Sequence, residues 1–169
     1  MIEDDFSDLD DWISHPNAPD GGAIASGGTV QFTVGGDFNS ISMPNVLAVN
    51  AQFQTLVMKI TAASDIANYA GGIFGNPSTG GRITLNVDAG STFFDNYVVF
   101  GTDANPWVAG SLIEIRLVPG PPIQFEYYLN GNLMGSGPFD ARPCVFISIR
   151  LDGDETTSFS DFSLEVFGP

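Results

Sequence analysis

Ile123-Gln124-Phe125-Glu126-Tyr127-Tyr128-Leu129-Asn130-Gly131-Asn132-Leu133-Met134 is the stretch that decides how this chain is read. Ile123, Phe125, Tyr127 and Leu129 alternate with Gln124, Glu126 and Tyr128. A period of two puts the first set on one face of a strand and the second on the other. Asn130-Gly131 follows at once. Both residue types tolerate the positive φ that a type I′ turn demands, so the segment predicts a β-hairpin.

The same period recurs in both directions from the hairpin. Val30, Phe32 and Val34 alternate within Gly28–Val34, and Ile83, Leu85 and Val87 within Arg82–Val87. Ile113, Ile115 and Leu117 face one way in Ser111–Val118, with Glu114 and Arg116 on the other side. Cys144–Leu151 and Ser160–Phe167 repeat the pattern. Phe53–Ile60 and Tyr97–Phe100 are apolar on both faces and read as central strands. Pro19-Asp20-Gly21-Gly22, Gly35-Gly36-Asp37, Asn76–Gly81 and Pro119-Gly120-Pro121-Pro122 punctuate the runs as turns. Helix signals are thin: Ala62–Ala70 has room for one turn before Gly71-Gly72 stops it. The expectation is one all-β domain over residues 1–169, with about eleven strands in two antiparallel sheets. Many short strands separated by regular turns favour a jelly-roll β-sandwich over a seven-strand immunoglobulin fold.

Composition agrees and narrows the function classes. Of 169 residues, 43% are hydrophobic and only 15% charged, against about 25% charged in ordinary globular chains. Five Lys and Arg face 20 Asp and Glu, for a net charge of −15. Lys59, Arg82, Arg116, Arg142 and Arg150 are scattered. Nothing here forms the basic patch that nucleic acid or an anionic membrane requires. No run of about 18 apolar residues is present to insert into a membrane as a helix. The single cysteine, Cys144, rules out an intrachain disulfide, and the sole histidine, His15, rules out multi-histidine metal sites. Met1-Ile2-Glu3-Asp4-Asp5 lacks the basic and apolar segments of a secretory leader. The expected setting is nonetheless extracellular or surface-exposed, on a cell or a virion.

Both ends of the chain carry a more specific pattern. Asp4-Asp5-Phe6-Ser7-Asp8-Leu9-Asp10-Asp11-Trp12 opens it, Ala25-Ser26-Gly27-Gly28-Thr29-Val30-Gln31-Phe32 follows, and Ser158–Val166 closes it. With the Asn130-Gly131 hairpin, these resemble the concanavalin A-like lectin/glucanase superfamily, which includes laminin-G-like and carbohydrate-binding modules. The resemblance implies that the N- and C-terminal strands lie side by side. It also implies a structural calcium ion near them, for which Asp5 and Asp161 are the matching positions. A second acidic segment, Asp152-Gly153-Asp154-Glu155, starts like a calcium loop but lacks the later Gly and Glu, and reads as a surface turn.

Glucanases of this superfamily carry Glu-x-Asp-x-Glu on one strand. The nearest string here is Leu112-Ile113-Glu114-Ile115-Arg116, whose Arg cannot serve as an acid. Glu126 is a lone carboxylate near Tyr128, and Asp88 and Asp95 are a conceivable pair flanking a loop. Lyases of this fold need a histidine, and His15 lies in a Ser-His-Pro turn. The expected function is therefore a non-catalytic carbohydrate-binding or adhesion module. Its alternatives are a structural subunit of a surface assembly, with other copies as partner, and a glycan-active enzyme built on an unrecognised site. Sugar sites need aromatic planes beside hydrogen-bonding side chains. Trp107 in the polar loop Thr102–Trp107, with Asn105 beside it, and Tyr97 and Tyr69, each next to Asn, are the candidate glycan-binding residues.

Overall fold

A computed structural model describes residues 1–14, 22–33, 40–50, 52–66, 74–75, 82–88, 91–95, 99–104, 107–139 and 144–168. These residues form strands and turns, with no helix among them. In chain order the strands are β1 (Ile2–Asp4), β2 (Ile13–Ser14), β3 (Ala23–Ser26), β4 (Thr29–Phe32) and β5 (Ser40–Asn50). Next come β6 (Thr55–Ala62), β7 (Phe74–Gly75), β8 (Arg82–Asp88), β9 (Ser91–Asp95) and β10 (Val99–Asp103). The last are β11 (Leu112–Val118), β12 (Gln124–Leu129), β13 (Asn132–Pro138), β14 (Cys144–Asp152) and β15 (Ser158–Phe167).

Two antiparallel sheets result. One runs β13-β12-β11-β6-β15-β4-β3, with β1 also paired to β15; the other runs β10-β9-β8-β7-β14-β5-β2. The jelly-roll sandwich expected from the alternation is therefore the fold, and the N- and C-terminal strands are neighbours. Ile2, Glu3 and Asp4 sit opposite Leu164, Ser163 and Phe162.

The alternation explains which face is buried. Ile113, Ile115 and Leu117 of β11 join Phe125, Tyr127 and Leu129 of β12 in the core, together with Leu56, Met58 and Ile60 of β6. Ile41, Met43 and Leu151 reach the same core from the second sheet. Side chains at the intervening positions of β11 and β12 point away from it. Asn130 and Gly131 have φ of 52° and 79°, as the turn requires. The Asn130 side chain also accepts the Leu112 N–H at 2.8 Å, which ties the turn to the start of β11.

The eleven expected strands become fifteen among the described residues. The longest omission is β5, whose Pro44 breaks its alternation. The register between β14 and β5 shifts between Ile147 (opposite Leu47) and Ile149 (opposite Met43), and Pro44 lies in that interruption. A proline is tolerated where the ladder is already broken. β6 is central, between β11 and β15, and Val57 is buried on its outer face as expected. Of Tyr97–Phe100 only Val99 and Phe100 are described: they open β10, which among the described residues is the end strand of its sheet and not a central one. The helical turn expected at Ala62–Ala70 is absent from its described part, where Ala62 ends β6 and Ile66 bridges Trp107.

Tyr127 is fully buried, and its hydroxyl accepts the Trp107 indole N–H at 2.9 Å. Tyr127→Phe strands that donor in the core. The expected loss is about 1–3 kcal/mol of unfolding free energy, read from urea denaturation; an unchanged midpoint would show that the bond contributes nothing.

Candidate functional site

The first candidate is the seam between the terminal strands. One edge of β15 passes from β4 to β1, and its register against β6 shifts between Ser160 and Ser163. Asp161 sits in that irregularity with φ of 52°. Glu3, Asp4, Asp5, Asp161, Phe162 and Ser163 line a shallow cleft of about 340 Å³ here. Asp5 and Asp161, singled out for calcium, thus share one cleft.

The acids of this cleft have different jobs. Asp4 accepts the Phe6 backbone N–H at 2.7 Å through Oδ1 and the Trp12 indole N–H at 2.6 Å through Oδ2. It fixes the entry of the chain into the sandwich. Phe6, at φ of 51°, turns its ring inward and is fully buried. Trp12 lies 5.7 Å from the Phe6 ring and 5.5 Å, edge-on, from Phe162 of β15. Such aromatic pairs add about 0.5–1.5 kcal/mol each beyond the area they bury. Asp5 is exposed, and its Oδ1 accepts the Ser7 N–H at 3.0 Å. The Ser7 backbone and hydroxyl hold its carboxyl below the usual range. Asp161 Oδ2 accepts the Ser160 hydroxyl at 2.8 Å. Calcium wants about 6–8 oxygens. No group of three or more His, Cys, Asp or Glu is arranged to hold a metal ion among the described residues. The cleft offers Asp5, Asp161 and backbone carbonyls, a sparse donor set.

Asp152-Gly153-Asp154-Glu155 is a turn built on its own hydrogen bonds. Asp154 Oδ1 accepts the Thr156 N–H at 2.9 Å, the Thr156 hydroxyl at 2.6 Å and the Thr157 hydroxyl at 3.1 Å. A side chain on Gly153 would strike the Phe32 ring and come within 2.7 Å of Thr157 Cβ. The glycine is there for close packing.

The second candidate is the outward face of β11 and β12. In their register Glu114 is opposite Tyr128 and Arg116 is opposite Glu126. Residues two apart on a strand share a face, so these four side chains form one cluster. Glu114, with a side chain only 9% exposed, accepts the Arg116 Nε–H through Oε1. The Arg116 guanidinium lies 4.4 Å above the centre of the Tyr128 ring, and its side chain remains 40% exposed. The Tyr128 hydroxyl donates to Glu126 Oε2 at 2.8 Å. The hydrogen bond to Glu114 raises the Arg116 pKa, so the guanidinium stays charged at all working pH. The bond to Glu126, with partial burial, raises the Tyr128 pKa. Lys59 of β6 faces Glu114 from the neighbouring strand.

Of the residues expected to bind glycan, only Trp107 is among the described ones. Trp107 is corrected: it is 2% exposed, lies in the core and spends its indole N–H on Tyr127. A ring so covered offers no stacking platform; Trp107 is the bridge partner of Ile66, itself buried. Asn105, Tyr97 and Tyr69 lie outside the described residues. Asp88 and Asp95 stand at opposite ends of the β8–β9 hairpin, paired with Ser91 and Thr84. Four residues of strand, about 13 Å, separate their levels in the ladder, too far to act as a pair. Sequence reading considered Glu114 and Glu126 singly as acids; only the register reveals their cluster with Arg116 and Tyr128.

No family model and no curated protein sequence matches the chain. Solved structures do. The globular domain of T. cruzi calreticulin superposes with a TM-score of 0.66 at 11% identity, covering 97% of this chain and 87% of that one. The Emp47p carbohydrate recognition domain gives 0.60 at 12% identity, over 95% and 93% of the two chains. The family 7 polysaccharide lyase AlgAT5, an alginate lyase, gives 0.55 at 14%, over 93% and 82%. The chain therefore has the concanavalin A-like jelly-roll fold, one that carries both carbohydrate recognition and catalysis in other proteins.

The turn at Asp154 supplies a pH test. Burial raises the Asp154 pKa, but the Thr156 and Thr157 donors outweigh it, and the folded value lies below the ordinary one. A depressed carboxylate contributes stability above its unfolded pKa near ~3.9 and loses it as pH falls through the folded value. Urea midpoints measured from pH 6 down to pH 2 (values set by the about 4 of a free aspartate) should fall less steeply for Asp154→Asn than for the parent chain. Parallel curves would remove Asp154 from the acid response.

Proposed function

We propose that this chain is a non-catalytic glycan-recognition module that acts outside the cell or at a surface. The observation that carries the reading is the half-buried Arg116–Tyr128–Glu126 cluster on the outward sheet face. It offers a charged donor, Arg116, oriented by the buried Glu114, and a carboxylate acceptor, Glu126, held by the Tyr128 hydroxyl. Sugar hydroxyls both donate and accept, so a rigid surface with both kinds of group recognises them. The likeness to a carbohydrate recognition domain supports the same reading at the level of the fold.

The cluster argues for binding rather than turnover. A glycosidase needs one protonated and one ionised carboxyl, each free to reach the glycosidic bond. Glu114 is committed to Arg116, and Glu126 to Tyr128. Neither carboxyl is placed as an unencumbered acid.

Calcium belongs to this proposal as a stabiliser of the terminal seam. What supports it is the shared cleft of Asp5 and Asp161 and the chain's net charge of −15. With so few carboxylate ligands the affinity is expected on the order of 10⁻⁴–10⁻³ M, as in extracellular modules. Ten-millimolar calcium (about tenfold or more above that Kd) should then raise the melting temperature by a few degrees over EDTA, and Asp161→Ala should abolish the difference. Equal melting in both buffers would discard the ion.

A glycan array probed with the purified chain tests the main reading. Retention of one glycan class, without release of shortened products on prolonged incubation, is the expected outcome. Product release would make the chain an enzyme, and a blank array would end the recognition reading.

A further inference from the structure

Resting on the glycan reading, we infer that the outward face of β11 and β12 binds a vicinal diol of a neutral sugar, with Arg116 and Glu126 as the contacting residues. Glu114 and Tyr128 act as positioning residues beneath them.

The inference starts from what each group has already spent. Arg116 uses Nε on Glu114 and one face of its guanidinium on the Tyr128 ring. Its two terminal nitrogens make no hydrogen bond among the described residues, and the side chain is 40% exposed. An arginine edge presents coplanar N–H donors at fixed spacing, which suits two oxygens on adjacent carbons. Glu126 spends Oε2 on the Tyr128 hydroxyl, and Oε1 makes no further hydrogen bond among the described residues. Arg116 and Glu126 are direct cross-strand partners. A donor edge and an acceptor oxygen thus stand side by side. A diol can accept from the first with its oxygens and donate to the second with a hydroxyl proton.

Charge selects the ligand class. The four residues hold one positive and two negative groups, Arg116 is already matched by Glu114, and Lys59 stands opposite Glu114 on β6. The surrounding chain is strongly acidic, at −15 overall. A uronate or sialate would approach against that field, with Glu126 beside Arg116 and, among the described residues of this face, only Lys59 opposite Glu114 to offset it. A neutral hydroxyl pair meets no such penalty. Preorganisation supplies the affinity: the Glu114 carboxylate is almost fully buried, so the arginine arrives already oriented and little side-chain entropy remains to be lost.

The test is calorimetric titration of the full chain with dextran, β-1,4-mannan and β-1,4-galactan, beside alginate and polygalacturonate. The expected result is binding of a neutral polymer, lost when periodate has cleaved its vicinal diols. Arg116→Ala and Glu126→Gln should each weaken it by roughly tenfold or more, Glu126→Gln with melting temperature unchanged and Arg116→Ala, which leaves Glu114 unpaired, titrated at a temperature where circular dichroism shows it folded. Arg116→Lys should fall nearly as far, since an ammonium lacks the paired donors. Glu114→Ala should weaken binding while Glu114→Gln, which still offers an acceptor to Nε, restores most of it; a merely structural role would not follow that order. Neutral-polymer binding that survives both Arg116→Ala and Glu126→Gln would place the site elsewhere and overturn the inference while leaving the recognition reading intact. Binding confined to alginate or polygalacturonate would overturn the ligand class. No binding to any polymer would remove the recognition reading and this site with it.

Discussion

Everything in the larger sheet depends on β15 satisfying three partners at once. Along one edge it pairs with β6 from Phe159 to Phe167; along the other it serves first β4 and then β1. One strand cannot do this as a straight ribbon. The irregularity between Ser160 and Ser163 changes its register, with Asp161 in left-handed backbone space. Phe159, Phe162 and Leu164 still reach the core from either side of it. The local cost is one residue held at positive φ. The return is a sheet in which the two ends of the chain and its middle are joined through one strand.

The opposite side of that junction explains the acidic opening segment. Chains with so many carboxylates usually leave them in solvent. Asp4 instead spends both oxygens on N–H groups, one of them an indole that must be covered for Trp12 to lie against Phe6 and Phe162. Charged acceptors make stronger hydrogen bonds than neutral ones, so a carboxylate suits this buried indole better than a serine would. Asp5, one residue on, faces out and organises only its own turn. Asp4 is the last residue of β1 and Asp5 the first of the turn that follows, so a structural acid and a solvent-facing one stand next to each other.

That division also marks how far the sequence could be read. The strands around Val30, Ile113, Phe125 and Leu164 were legible because one face had to be apolar. The turn at Asn130-Gly131 was legible because few residue pairs accept its backbone. The pairing of the terminal strands followed from a resemblance carried by Asp4–Trp12 and Ser158–Val166. Pro44 hid β5, since a proline within a strand is read as its end unless the bulge beside it is known. Trp107 was misread because a polar loop sequence gives the company a residue keeps along the chain, and burial depends on the company it keeps in space. The Glu114–Arg116–Glu126–Tyr128 cluster lay between these cases. Each i, i+2 pair was visible on its own strand. Their meeting required the register across the loop Pro119–Ile123, and proline- and glycine-rich loops of that length do not fix one register by themselves.

The order of β15 in the chain has a consequence for synthesis. A ribosome delivers β4, β6, β11 and β12 long before the strand that lies between β4 and β6 exists. Until Ser158–Phe167 emerges from the exit tunnel, the inner edge of β6 and the free edge of β4 stay open, and the Phe6–Trp12 pair lacks Phe162 to pack against. Open edges of apolar strands are where nascent chains stick to one another. During translation the abundant negative charge gains a second use: chains on neighbouring ribosomes repel each other through the interval when their sheets are incomplete.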